Sequence, residues 1–234
     1  MKILTTFLLF SSSLLPLSAA NLLYNGSFES YSGSPSPGAT EATVLTDGFL
    51  GITEWDAVGP CAAGNCALLL GTDYTENTLQ FQAQEGSRSV DLTGSGHSAS
   101  TGGISQAVSL TTGLSYTLTF FLGNMDDSAT NYGGASALEV LINGISMGVF
   151  TNSASTPNLV NWAEQSLTFT ALTEINTIQF RDATPLADNY AGLDNAFLDL
   201  TPGAEAPEPG TFALAAAAIG TFAFARRCRA GSKG

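Results

Sequence analysis

Histidine is almost missing from this chain: His97 is the only one in 234 residues. It lies in GSGHSASTGG, a Gly/Ser segment, and reads as structural or solvated. A serine or cysteine hydrolase therefore lacks an obvious base. The chain also has no phosphate-binding loop, no HExxH and no EF-hand loop. Asp126 and Asp127 are adjacent in a Gly/Asn/Ser loop. Sequence neighbours do not define a glycosidase pair, and they read as solvated carboxylates or occasional cation ligands. Nothing in the sequence argues for an enzyme, and no catalytic residue or organic cofactor is assigned.

Basic residues are the next scarcity, with seven Lys and Arg against twenty Asp and Glu. Lys2, Arg226, Arg227, Arg229 and Lys233 lie near the termini. Only Arg88 and Arg181 remain between them. Such an acidic body repels phosphate backbones, which excludes nucleic acid as a partner. It suits an exported, soluble surface, and divalent cations. Cysteine is scarce too: Cys61, Cys66 and Cys228 are all there is. Cys61 and Cys66 sit in CAAGNC, and a small disulfide loop between them suits an oxidising compartment. A zinc site would need further ligands, and only His97 and Cys228 are left for it. No internal repeat stands out, and no amphipathic helix precedes the C-terminal stretch.

The two ends of the chain carry most of the long apolar sequence. Residues 1–20 combine Lys2, an apolar stretch and Ser18-Ala19-Ala20, the pattern of a secretory signal peptide. At the other end Pro207-Glu208-Pro209 precedes an uncharged run at 210–225. Prolines stop a helix from running upstream. The run favours helix and partitions into lipid, although at roughly 24 Å it is short for a bilayer. A basic stretch at 226–234 follows, where Arg226, Arg227 and Arg229 would hold that end in the cytoplasm.

These three features, in order, resemble the PEP-CTERM sorting signal of Gram-negative bacteria. The resemblance implies recognition and cutting near the tripeptide by a membrane enzyme, exosortase. It implies an exported protein of the cell envelope, surface or extracellular matrix, held transiently in the inner membrane by its last helix. The organisation expected is a signal peptide at 1–20, one ectodomain at 21–201, a linker at 202–209, a transmembrane helix at 210–225 and a basic cytoplasmic tail at 226–234.

Between the ends the pattern is all-β. Short runs of alternating, β-branched and aromatic residues follow one another, with Gly, Asn, Ser and Asp between them. The expected strands are 22–28, 52–58, 67–70, 89–92, 104–110, 116–122, 138–142, 146–150, 163–169, 177–181 and 193–200. Asn143-Gly144 between two apolar runs signals a tight hairpin. Two longer loops are expected, at 31–48 and 123–136. So many short strands in one domain point to a two-sheet jelly-roll sandwich. In such a fold the first and last strands can lie side by side, bringing Glu29 towards Asp194. Two carboxylates with nearby carbonyls would suit a structural Ca²⁺; the alternative is two exposed strand-end carboxylates.

The ordered set NGSFE, Trp55, EGSRSVDLTG, GGISQAV, LSYTLTFFLGN, Trp162, INTIQFRD and LDN is similar to the galactose-binding-like jelly rolls of bacterial surface proteins. It is also similar to a plant cell-wall family of unknown function. Related carbohydrate-binding modules share the NGxFE opening. The resemblance implies a structural calcium joining Glu29 to Asp194. Trp55 and Trp162 are candidates for stacking on sugars, although a Trp in an alternating strand also suits a core. The functional expectation is a non-enzymatic surface or matrix protein that binds glycan or exopolysaccharide. The rivals are a purely structural matrix protein without a specific ligand, and an enzyme with an unrecognised site.

Overall fold

A computed structural model describes residues 20–33, 38–48, 51–59, 61, 66–94, 102–126, 132, 134–184 and 190–203. Expectations that fall on the signal peptide, His97, Asp127, the Pro-Glu-Pro motif, Cys228 or the C-terminal run and arginines lie outside these residues. No helix among the described residues is long and apolar enough to cross a membrane.

Thirteen strands are described. Six form one sheet: β1 (Ala42–Leu45), β3 (Ala67–Gly71), β6 (Arg88–Asp91), β13 (Gly192–Leu200), β8 (Ser115–Asn124) and β11 (Asn161–Thr170), in that order across the sheet. Five form the other: β10 (Ile145–Asn152), β9 (Ser136–Ile142), β12 (Ile175–Asp182), β7 (Gly103–Ser109) and β2 (Asp56–Val58). A small hairpin, β4 (Thr75–Glu76) with β5 (Leu79–Gln80), stands apart. Every named pairing is antiparallel, and apart from the β9–β10 hairpin the chain from β6 to β13 crosses from one sheet to the other at each step, as in a jelly roll.

Alternation places the core. Tyr116, Leu118, Phe120 and Leu122 of β8 are buried, while Ser115, Thr117, Thr119 and Phe121 are only half-buried. The buried set meets Ile178 and Phe180 of β12, Ile104 of β7, and Leu193 and Leu198 of β13 in one core between the sheets. Phe120 packs edge-on against both Phe150 and Phe180. The Asn143-Gly144 hairpin forms with φ of 53° and 77°, the left-handed pair that a two-residue turn requires.

Two expected strands give way to turns. Residues 22–28 are not a strand, because Asn25 and Phe28 take φ of 51° and 58° and break the extended chain. The opening segment still runs beside β13. Leu22 N–H donates to Leu198 O, Ala196 N–H donates to Gly26 O, and the Asn21 side chain bonds Ala196 and Leu198. The expected strand at 52–58 shrinks to Asp56–Val58, since Glu54 has φ of 67° and Trp55 turns inward. Strand β1 falls inside the expected 31–48 loop.

Cys61 and Cys66 are disulfide-bonded, with Cα atoms 4.6 Å apart. Asp47 lies beside the two sulfurs, but these are spent on each other and offer no thiolate to a metal. Alkylation of unreduced exported protein, followed by mass spectrometry, is expected to leave both cysteines unlabelled. Replacing the pair with serine should cost ~2 kcal/mol or less, because so short a loop loses little entropy on closure.

Candidate functional site

The outer face of the six-stranded sheet carries a second, smaller aromatic cluster. Leu70, Leu79, Phe81, Met125, Tyr132 and Tyr190 form it, with Leu68, Tyr74 and Val160 at its margin. Phe81 is its centre, with ring centroids 5.3–6.0 Å from Tyr190, Tyr74 and Tyr132. The β4–β5 hairpin roofs this half of the sheet. Beyond it the same face presents Phe121, Thr119, Phe197 and Trp162, all half-buried, and the exposed Glu164 and Ser166, on one side by register.

At the edge of the roof lies a polar hollow of about 240 Å³ lined by Thr72, Asp73, Tyr74, Thr75, Gln80 and Gln82. Its only ring is Tyr74, half-buried; the other groups are hydroxyls, amides and one carboxylate. Tyr74 is fixed by its backbone, which donates to Gly71 O and accepts from Phe81 N–H. Trp162 stands at the next position along. Its Nε1–H donates to the Gln82 carbonyl at 3.0 Å, and its ring lies across Gly123, where a Cβ would sit 2.9 Å from the indole. Glycine at 123 is what lets the ring lie flat on the sheet.

The segment 82–88 ties this hollow to the two expected carboxylates. Asp194 is fully buried, and its Oδ2 accepts Gln84 N–H at 2.8 Å and Glu85 N–H at 3.0 Å. Its Oδ1 accepts Asn195 N–H, and Asn195 Nδ2 donates to Gln84 Oε1. Glu29 Oε1 accepts Ser87 and Arg88 N–H, and Oε2 accepts the Ser87 hydroxyl. Arg88 returns a bond from its guanidinium to Glu29 O. Gly86 makes the approach possible: it has φ of 65°, and a Cβ there would lie 2.5 Å from Glu29 Oε1. Burial pushes the Asp194 carboxyl up to about 7 against the pull of its three N–H donors, and Glu29 adds to the rise.

Glu29 and Asp194 thus clamp one loop from two sides. Three donors occupy each carboxylate, and a carboxylate offers about four lone-pair positions. That leaves about one lone-pair position on each carboxylate.

Trp55 is placed otherwise than as a stacking platform. It is 1% exposed, packs against Phe28 and Phe180, and donates its Nε1–H to Tyr24 and Asn25 carbonyls. A ring sealed in the core cannot meet a sugar. Tyr74, Asp73, Gln80 and Gln82 were not singled out from the sequence. Of these only Gln80 lies in a strand, and the two strands of this hairpin have two residues each, too short for periodicity. The available signal is the turn in TDYTENTLQFQ, where Asn77 takes φ of 57° between aromatic and polar residues.

Residues 205–230 match the PEP-CTERM protein-sorting motif, which marks the chain as exported to the cell surface and implies exosortase processing. Among solved structures the chain is similar to TmCBM61 in complex with beta-1,4-galactotriose, at 16% identity and a TM-score of 0.45, covering 78% of this chain and 100% of that one. It is similar to a family 35 carbohydrate binding module from Clostridium thermocellum, at 14% identity and a TM-score of 0.41, covering 69% and 99%. It spans 64% of the EclA C-terminal domain, a sugar-binding protein, with 41% of this chain covered, 12% identity and a TM-score of 0.34. No curated protein sequence matches it. Residues 21–192, well over half of the chain, match the family described as "Protein of unknown function (DUF642)", and the protein belongs to that family.

Proposed function

We propose that this is a non-enzymatic glycan-binding protein of the cell surface or its matrix, with the hollow around Tyr74 and the neighbouring Trp162 as the binding face. One observation carries the reading. A half-buried tyrosine, a carboxylate, two amides and two hydroxyls line a hollow beside an indole pinned flat on the sheet. Aromatic faces stack on the C–H faces of a sugar ring, while amides and carboxylates match its hydroxyls. A neutral exopolysaccharide suits this acidic chain better than an anionic one. Before processing, the 210–225 run anchors the protein in the inner membrane of a Gram-negative cell.

Calcium at Glu29 and Asp194 belongs to the same proposal as a structural part. An ion would relieve the repulsion between the two carboxylates and fasten the 82–88 segment that supports Trp162.

Tryptophan fluorescence tests the binding. Of the two tryptophans, Trp55 is sealed in the core, so a ligand-induced change reports Trp162. Titration with galactan, xylan, mannan and glucan oligosaccharides is expected to shift the emission for at least one of them. Asp73→Ala and Gln82→Ala should each weaken that binding about tenfold, the loss of one or two hydrogen bonds. No response from any glycan, in emission or thermal midpoint, would leave the structural matrix protein as the better reading.

A further inference from the structure

One end of the sandwich is built from the turns at 111–114, 143–144 and 171–175. Hydrogen bonds lace these turns together: Gly113 N–H to Ala171 O, Leu110 N–H to Glu174 O, and Thr177 N–H to Asn143 Oδ1. From this end project Leu172, Ile145, Ile175 and Met147, which are 70%, 60%, 60% and 38% exposed. Ile145, Met147 and Leu172 rim a mostly apolar dent of about 140 Å³, completed by Ile142, Asn143, Phe169 and Thr170, while Ile175 stands beside Glu174 at the same end. Four large aliphatic side chains gathered at one tip form a patch that solvent alone does not favour.

The chain leaves the sandwich at this same end. Leu200 pairs with Tyr116, Thr201 N–H donates to Ser115 O, and the Thr201 hydroxyl lies 2.9 Å from that of Thr117. Ser115 in turn pairs with Thr170, which lines the apolar dent. Only residues 204–209 separate the last described residue from the uncharged run at 210–225. Fully extended, six residues reach roughly 20 Å. A domain tethered that closely to a bilayer must present its exit end to it.

We propose that this tip is a membrane-contact surface, on which Leu172, Ile145, Ile175 and Met147 enter the lipid interface while the tail is uncut. The proposal rests on reading 210–225 as the membrane segment. Two features select lipid over a protein partner. The side chains stand at the ends of β10 and β12 and in the 171–175 turn, around a shallow dent instead of a deep groove, which suits a fluid, featureless surface. The two cations among the described residues are engaged elsewhere, Arg88 with Glu29 and Arg181 with Glu139, and the tip carries the acidic Glu174. The attraction is therefore apolar, insensitive to salt, and best met by zwitterionic lipid. Cutting the tail would leave only the weak hold of the tip, so the domain would go free.

The test uses the full chain carrying Cys228→Ser in phosphatidylcholine vesicles with a lipid-borne nitroxide quencher. An environment-sensitive fluorophore is placed singly through Leu172→Cys, through Thr78→Cys on the hairpin roof, or through Ala218→Cys within the uncharged run. Quenching at 172 and 218, with none at 78 and no change on raising salt, is the expected result. Quenching at 218 without quenching at 172 overturns the tip contact and leaves the membrane segment standing. Quenching at 172 without quenching at 218 keeps the tip and overturns the membrane segment; no quenching at either overturns both. As a second readout in the same full chain, Ile145→Ser and Ile175→Ser should each lower the quenching at 172 severalfold. Both positions are exposed, so an unchanged thermal midpoint is expected to accompany the loss, and unchanged quenching at 172 in both would overturn the contact.

Discussion

Asp194→Ala is expected to lower the stability of the sandwich by roughly 3–5 kcal/mol, at the upper end for one substitution. The carboxylate is fully buried and takes N–H groups of Gln84, Glu85 and Asn195. Alanine would leave three donors without their acceptor in a site water does not reach freely, and each such loss costs about 1–3 kcal/mol. Partial relaxation of the 82–88 segment keeps the sum below the maximum. Asp194→Asn preserves shape and one acceptor oxygen, so it should lose about half as much. Glu29→Gln, nearer the surface, should lose less again. Urea unfolding followed by circular dichroism reads all three. If Asp194→Ala unfolds within ~0.5 kcal/mol of the parent, the clamp does not hold the loop.

The same series separates the clamp from the proposed ion. A site that binds only the folded chain adds about 2.7 kcal/mol at a hundredfold excess over Kd. Calcium after thorough chelation should therefore raise the parent midpoint, and Glu29→Gln and Asp194→Asn should both lose that rise. A parent midpoint indifferent to calcium would remove the ion and leave the hydrogen-bonded clamp intact. Gly86→Ala offers an independent check, since it strains φ and crowds Glu29 Oε1 without altering either carboxylate.

The sheet interior was legible in the sequence because it is written in period two. Nine expected strands, from 67–70 to 193–200, coincide with β3, β6 to β13 within a few residues, and the sandwich follows from their number. The opening segment was misread because its apolar residues alternate as a strand does, while Asn25 and Phe28 adopt left-handed φ that composition does not reveal. Its neighbour in space was nonetheless inferred correctly as the closing strand, since jelly-roll topology places the two ends together. The juncture of Glu29 with Asp194 through residues 84–88 was half legible. Their approach could be argued from topology, but not the loop that both carboxylates bind. The Tyr74 hollow was illegible, because a four-residue hairpin folds over the sheet through Phe81 and Tyr132, and such long-range packing leaves no local period. Trp55 and Trp162 look alike in sequence. Only burial assigns one to the core and the other to the face.

Raising the pH from about 4 to about 7 is expected to destabilise this protein, and Asp91 and Asp194, both pushed up to about 7 by burial, are the reason. The Asp91 side chain is 2% exposed beneath the aromatic roof, with Thr93 N–H, the Thr93 hydroxyl and Ala191 N–H all on one oxygen, Oδ1. Burial pushes its carboxyl up to about 7, the Thr93 and Ala191 bonds pull the other way, and nearby Asp182 adds to the rise. In the unfolded chain the same group titrates near 4. Between those values the folded state holds a proton that the unfolded state has released. Stability then falls as pH rises, by up to roughly 1.4 kcal/mol per pH unit for one group. Below about 4 both states are protonated and this slope vanishes. Glu139 acts in the opposite sense. Hydrogen bonds from Ser146 and Arg181 hold its carboxyl low, so its contribution is present above the unfolded value and lost as acid protonates it. Asp91 and Asp194 thus tilt the profile towards acid, and Glu139 opposes them only below its unfolded value. Asp91→Asn removes one of the two raised titrations while keeping the Thr93 acceptor, so it should make the fall from pH 4 to 7 about half as steep and make the variant the more stable form at pH 8. Unfolding free energies at pH 4.5, 6 and 8 for both forms decide it, and an equal slope in parent and variant would show that Asp91 holds no extra proton in the folded state.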